Sequence, residues 1–423
     1  MATNKANVFV STLNVALVIA GFQFATSIFA GLLRGNDAEG ASMAITVPYH
    51  AFALIVSCLA WGYNAKEKTN SPMIIKVLWL FWALLFVRFF YDMYFRNDVI
   101  VFPLEKYRVL LFMGPMTIIP MISVMKSYRY IDYSKLLKWT FFFISVSMIL
   151  TAFNSSMFID AEAERAGANE AMGSIGSGHM GLTGLIISVF ILFNKKLPFP
   201  LKMVVAFIAL ISTIVLLRSG SRGPVLALVG IIAVLVFGKM KNKTVGILSV
   251  LIVAVVGYLM IDYIMEAIEY ISPTLYGRFD QKSGEQFGTR EYLYLMAWEE
   301  FRSNPLLGSS FGIYEDGAIG YAHNAFLDAL MQLGIGGGLM MLYLYLKPTI
   351  DTARLIRERN DIMWIGLILV QNMIGTMVSG AFYNKPVISV LIILLYSQCN
   401  YKSVTKEKKA TLNYITTDCD KSK

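Results

Sequence analysis

The feature that most constrains this chain is the recurrence of apolar runs about 20 residues long, the length at which an α-helix crosses a bilayer. Twelve can be drawn through the 423 residues: 8–33, 43–63, 73–95, 108–125, 136–155, 177–194, 200–217, 223–238, 244–262, 323–346, 362–383 and 386–400. In hydrocarbon the backbone must satisfy its own polar groups, so each run predicts a helix. Composition agrees: 56% of residues are hydrophobic and only 15% charged, against about 25% charged in a soluble domain. The reading is an all-α polytopic membrane protein. A water-soluble enzyme, a disordered chain and a secreted disulfide scaffold are excluded. Cys58, Cys399 and Cys419 form no Cys-x-x-Cys or Cys/His cluster, so neither a disulfide framework nor a zinc site is expected, and Cys58 is expected to pack.

The runs divide the chain. Residues 1–262 hold nine helices, 263–322 one large outer loop with an amphipathic helix, 323–400 three more helices, and 401–423 a Lys-rich tail. The first run is long, uninterrupted and without a small-residue cleavage site, so it reads as a signal anchor. Lys and Arg concentrate in alternate loops: Lys66, Lys68, Lys76; Lys126, Arg129, Lys135, Lys138; Lys195, Lys196, Lys202; Lys239, Lys241, Lys243; Lys347, Arg354, Arg357, Arg359. By the positive-inside rule both termini are cytoplasmic. The opposite loops carry Asp160, Glu162, Glu164 and Glu170. The net charge of +9 is therefore a topology signal, and no nucleic-acid partner is expected.

Cations on the acidic outer side need a reason. Arg218 and Arg222 lie in Leu217-Arg218-Ser219-Gly220-Ser221-Arg222-Gly223-Pro224, a turn between two spans. Arginine is the planar, permanently charged fork that suits phosphate. The small residues, Ser221 among them, let backbone N–H groups approach an anion, and the next helix, read as starting at Pro224, offers its positive end. Headgroup anchoring by snorkelling side chains is the alternative. In the large loop, Gly288 to Phe301 reads as an amphipathic helix with Thr289 as N-cap and Asn304-Pro305 as stop. Arg290, Leu293, Ala297 and Phe301 share one stripe at helical spacing. Arg290 then sits at the helix N-terminus, where the dipole disfavours a cation unless an anion is present. A solvent-exposed arginine beside Glu291 is the plainer alternative.

His323, one of three histidines, lies where the large loop re-enters the membrane. A neutral imidazole there can take a proton from a sugar hydroxyl. Asn324, Asp328 and Gln332 follow as one polar stripe. An intramembrane carboxylate such as Asp328 is a candidate site residue, and a polar contact between helices is the alternative. His179, in Gly176-Ser177-Gly178-His179, lines a pocket or packs. His50 reads as structural, Arg88 with Asp92 as a neutralising pair four residues apart, and Gly334, Gly336, Gly337 and Gly338 as close helix packing. Asp418-Cys419-Asp420 formally matches a metal-binding Asp-x-Asp but lies in the tail, so no metal is expected.

In order and spacing, Ser221-Arg222-Gly223, Arg290 to Trp298, Asn304-Pro305-Leu306-Leu307-Gly308 and His323-Asn324 resemble the O-antigen polymerase and O-antigen ligase superfamily. The resemblance is strong over about 175–345 and topological elsewhere. It implies a C-type glycosyltransferase fold with one large periplasmic loop, in the bacterial inner membrane, with the active site facing the periplasm. It implies an undecaprenyl-pyrophosphate-linked oligosaccharide as donor, with no cofactor and no metal. By this resemblance Arg222 and Arg290, with Arg218 as a further candidate, grip pyrophosphate, and His323 serves the acceptor. Ser221, Asn324, Asp328 and His179 complete the expected substrate contacts.

The expected reaction is polymerisation: transfer of the glycan to the non-reducing end of another lipid-linked repeat unit, with inversion. A chain-length regulator protein is a candidate partner. A ligase, which transfers to lipid A core, is the alternative. Capsule and exopolysaccharide polymerases fit the sequence equally. A lipid-linked glycan transporter is disfavoured, because no internal repeat is visible and the notable residues cluster on the outer side.

Overall fold

A computed structural model describes residues 5–29, 38–69, 71–96, 99–152, 173–240, 244, 266, 270 and 284–397, with side chains at 38–43 and 284–289 left aside. The ninth predicted span (244–262), the acidic cluster 160–170 and the tail lie outside the described residues.

The described residues form helices α1 (Lys5–Phe29), α2 (Ala38–Asn64), α3 (Met73–Tyr94), α4 (Pro103–Tyr130), α5 (Tyr133–Ala152), α6 (Ser174–Asn194), α7 (Phe199–Arg218), α8 (Arg222–Lys239), α9 (Gly284–Ser303), α10 (Ala325–Arg357), α11 (Met363–Val378) and α12 (386–397). Nine are long and apolar enough to cross a membrane, and α11 and α12 are shorter apolar helices. Eleven of the twelve predicted runs fall on these helices, and the ninth lies outside the described residues. The chain is an all-α, multi-pass membrane protein.

The outward faces are apolar. Val87, Phe193 and Phe199 are exposed, as side chains facing lipid tails are. Cys58 belongs to this face: expected to pack inward, it is exposed beside Ile55 and Leu59. Between helices, small residues permit close approach. A Cβ on Gly181 would lie 2.7 Å from the Ser212 carbonyl of α7, and one on Gly178 only 2.6 Å from Ser219 Oγ. Buried polar side chains add interhelical hydrogen bonds. Asn7 and Asn64 exchange amide bonds of 2.9 and 2.8 Å, and Trp82 Nε1 donates to Ser389 Oγ at 3.1 Å.

The loop element α9 begins at Gly284, so Thr289 lies inside the helix and does not cap it. Arg290 is accordingly in the second turn, and the helix-dipole argument for it lapses. The glycine at 288 costs about 1 kcal/mol in a helix interior, which the packing of the later turns outweighs. The apolar stripe holds: Ala297 is fully buried against Ile313, Ala322 and Met331, with Leu293, Tyr294 and Met296 beside it. A hairpin follows, β1 (Ile313–Glu315) and β2 (Ala318–Gly320), antiparallel with Ile313 opposite Gly320. Its turn residues Asp316 and Gly317 both have positive φ, the two-residue turn that suits strand twist.

Helix α10 is broken at Gly334 (φ 64°, ψ −157°). The Asn304-Pro305-Leu306-Leu307-Gly308 segment fills the break. Ile335 N–H donates to the Pro305 carbonyl at 2.8 Å and Ser309 N–H to the Met331 carbonyl at 3.0 Å. A Cβ on Gly334 would meet the Leu306 carbonyl carbon at 2.5 Å, and one on Gly308 the Gln332 carbonyl carbon at 2.5 Å. Both positions therefore require glycine twice over, for positive φ and for space. Gly334, expected only to pack closely, is the kink itself.

Arg88 and Asp92 do more than neutralise one another. Arg88 donates to the carbonyls of Gln332 (3.0 Å), Ser309 (3.4 Å), Leu307 (2.8 Å) and Gly308 (2.7 Å). Asp92, fully buried, accepts from Phe311 N–H at 2.5 Å and from Tyr314 hydroxyl at 2.8 Å. Arg96 adds a bond to the Ser309 carbonyl at 2.9 Å. The charges of α3 thus clamp the irregular 307–314 backbone that a helix break leaves without regular partners.

Candidate functional site

Six helix ends meet at one end of the bundle: the starts of α6, α8, α10 and α12 and the finishes of α7 and α11. The opposite end holds the Lys195–Asp361 ion pair at 2.7 Å and the Lys347–Asp351 pair.

The finish of α11, Val378-Ser379-Gly380, gathers the candidate residues. Arg290 Nη1 donates to the Val378 carbonyl at 3.2 Å. Gly223, next to Arg222, stands against Val378, where an added Cβ would come within 3.2 Å of Cγ2. Gly380 N–H donates to His323 Nδ1 at 3.4 Å. Arg222 and Arg290 are close enough to repel. Arg222 is the first residue of α8, where the helix dipole also disfavours a cation, by roughly 0.3–1 kcal/mol. The helix starts two residues earlier than Pro224, which still sits in the tolerant first turn. Arg218 differs: it closes α7, the end where the dipole favours a cation, and among the described residues no bond joins it to the group at Val378.

His323 has φ 56°, a conformation that costs a non-glycine residue roughly 1–3 kcal/mol and is concentrated at functional sites. The polar stripe of α10 holds it there. Asn324 is the N-cap, its Oδ1 accepting from Phe326 and Leu327 N–H at 3.0 and 3.2 Å. Asp328 is buried and its Oδ1 accepts from Ala322 N–H at 2.8 Å. Gln332 Nε2 donates to the Phe311 carbonyl at 2.7 Å. Asp328 and Gln332 thus grip the loop that leads to the histidine, while Asn324 caps the helix that follows it. Burial, and then the charge of Arg290, push the His323 imidazole below the ordinary histidine value, so it is neutral at pH 7. With Nδ1 accepting from Gly380, the neutral ring carries its proton on Nε2. Tyr321 packs on the ring, centroids 4.5 Å apart, and burial raises its hydroxyl above the usual tyrosine value.

His323 opens onto a polar cavity of ≈ 530 Å³, lined also by His179, Tyr321, Glu105, Arg108 and Lys385. Arg222, Arg290, Ser221, Asn324 and Asp328 lie outside its wall. Ser221 is buried, its Oγ 3.4 Å from Ser174 Oγ. His179 packs its ring on Gly375, where a Cβ would lie 2.8 Å from Cε1. The sequence reading missed Lys385, Arg108 and Tyr321. Lys385 carried a usable signal: on the topology expected from the loop charges it is a cation on the acidic side, by the rule that marked Arg222. Among the described residues no three His, Cys, Asp or Glu side chains group as metal ligands.

The fold and these helix ends define a multi-pass helical membrane protein with a cationic, imidazole-bearing site at one end. Residues 207–342, about a third of the chain, match the family model described as O-antigen ligase. The match agrees with the polymerase and ligase superfamily that the motifs resemble. The match spans Arg218, Arg222, Arg290 and His323 and ends before Val378. No curated protein matches the sequence.

Proposed function

We propose that this protein is a surface-polysaccharide polymerase of the O-antigen type, in the bacterial inner membrane with both termini cytoplasmic and the site facing the periplasm. It takes the glycan from an undecaprenyl-pyrophosphate donor and passes it to the non-reducing end of another lipid-linked repeat unit. The observation that carries the reading is the convergence of Arg222, Arg290 and His323, from three separate elements, on Val378-Ser379-Gly380. An acceptor hydroxyl oxygen attacks the anomeric carbon. The carbon–oxygen bond to the lipid diphosphate breaks, its electron pair leaves with the phosphate, and the hydroxyl proton passes to the departing diphosphate or to bulk water. Diphosphate is already a good leaving group, so fixed positive charge suffices to lower the barrier. Arg222 and Arg290 supply that charge. His323, neutral with Nε2–H directed away from Gly380, orients the reacting oxygens. Direct displacement inverts the anomeric centre. Asn324 and Asp328 hold His323 in place, and a chain-length regulator would act outside this site.

A ligase acting on lipid A core is the second reading, and the matched family's description favours it. The gel profile of surface polysaccharide from a deletion strain separates the two. Core bearing a single repeat unit supports the polymerase. Bare core with lipid-linked polymer accumulating supports the ligase and overturns the first reading.

A further inference from the structure

The ≈ 530 Å³ cavity contains a cation to which neither the motifs nor the family match draws attention. Lys385 lies in the tight turn between α11 and α12, with its backbone fixed at both ends: its N–H donates to the Phe382 carbonyl (3.2 Å) and its carbonyl accepts from Ile388 N–H (3.1 Å). Lys385 lines the cavity, and its ammonium has no hydrogen-bond or ion-pair partner among the described residues. The one carboxylate in the wall, Glu105, is paired with Arg108 at 3.4 Å. Burial pulls the Lys385 ammonium below the usual lysine value. Its charge reaches His179, whose buried Nδ1 has no hydrogen-bond partner among the described residues. A cation placed without an anion in a low-dielectric cavity is destabilising, and an anionic ligand removes that cost.

A second feature bears on the source of the anion. An apolar groove of ≈ 620 Å³ lies between α1 and α2, on a different face of α1 from the residues that line the cavity. Phe22 and Gln23 line the cavity, whereas Gly21, Phe24 and Ala25 line the groove, together with Ile45 and Phe52. A molecule with an anionic head and a long hydrocarbon tail finds both environments on one helix turn.

We propose that Lys385 binds a phosphoryl oxygen of a polyprenyl diphosphate whose head reaches into this cavity beside His323, which shares the Val378–Gly380 turn with Arg290, and whose tail lies in the α1–α2 groove. The assignment rests on the lipid-diphosphate reading above and adds to it a binding residue outside the family-matched segment.

The test uses the full-length protein in nanodiscs and two probes: inorganic pyrophosphate, and an undecaprenyl diphosphate without glycan. Lys385→Gln is expected to weaken binding of both about tenfold, and Lys385→Arg to stay within about threefold of wild type. In turnover, Lys385→Gln raises KM for the lipid-linked donor with little change in kcat. Ala25→Trp, which fills the groove, weakens the lipid probe and spares pyrophosphate. Unchanged pyrophosphate affinity in Lys385→Gln, with binding lost in Arg290→Ala, overturns the Lys385 assignment alone. So does an equal loss in Lys385→Arg and Lys385→Gln, which marks a structural lysine, and Lys385→Met provides a second neutral variant if Lys385→Gln fails to fold. Equal affinity of wild type for the two probes overturns the lipid-borne source. Binding of neither probe by wild type overturns the lipid-diphosphate reading itself.

Discussion

Two groups of cations lie near the large loop and differ in what surrounds them. Arg88 on α3 meets four backbone carbonyls and the Asp92 carboxylate. Arg290 on α9 meets one carbonyl, and Lys385 in the α11–α12 turn meets no acceptor among the described residues. Where the fold supplies the full complement of acceptors, a buried arginine is a structural clamp. Where it supplies one or none, and a second cation stands close by, the missing partner is a ligand. From sequence alone, neither the carbonyls around Arg88 nor their scarcity around Arg290 and Lys385 can be seen.

The comparison breaks most readily at Asp92. Asp92→Ala leaves Arg88 and Arg96 without their shared carboxylate, and Phe311 N–H and the Tyr314 hydroxyl without an acceptor. We expect a loss of about 3–5 kcal/mol, the usual cost of breaking a buried pair, seen as earlier thermal unfolding in detergent and faster proteolysis within 304–314. A variant as stable as wild type would show that the clamp is not structural. Arg290→Ala should behave oppositely. Its unfolding midpoint stays near wild type, while polymer formation falls about 10²–10³-fold, as when a transition-state charge contact is removed. Loss of stability with activity retained would place Arg290 among the clamps. Asn324→Ala should sit between these extremes, costing about 1 kcal/mol as a lost helix cap, with activity reduced only through the displaced His323.

The smallest effect concerns pH. His323 is held below the ordinary histidine value by burial and by Arg290, and its protonation opposes the Gly380 N–H contact. Activity should therefore rise with pH along a limb lying below about 6.5, the unperturbed histidine value. Removing the Arg290 charge raises the histidine's proton affinity, so in Arg290→Gln the residual activity should show that limb at higher pH. A pH profile of kcat/KM that is identical in the two proteins would separate the two residues.

Much of the architecture is legible because it is local. An apolar run of 20 residues reports its own helix regardless of its neighbours, and the α9 stripe reports its buried face. The start of α9 is not legible in this way. Gly284 to Gly288 looks like loop, and only packing of the turns beyond draws those residues into the helix. The hairpin had a readable mark in Asp316-Gly317, but strands of three residues give too little alternation to stand out. For the site, Arg222, Arg290 and His323 could be singled out by side and chemistry. That Asp328 and Gln332 grip backbone 6 and 21 positions away, and that Gly380 and Val378 meet His323 and Arg290 from 57 and 88 positions away, depends on tertiary contacts. Sequence periodicity carries no record of those contacts.

The break of α10 at Gly334 and the turn at Val378-Ser379-Gly380 bear on how far the site is modular. The family-matched segment ends at 342, yet the backbone that brings Arg222, Arg290 and His323 together belongs to the end of α11. A graft of 207–342 into another helical scaffold would import both arginines, the histidine and the kink, while leaving behind the strip of main chain to which they are fitted. The transplantable unit and the working unit are therefore different lengths of this chain, and a chimera intended to change glycan specificity has to carry residues through Lys385.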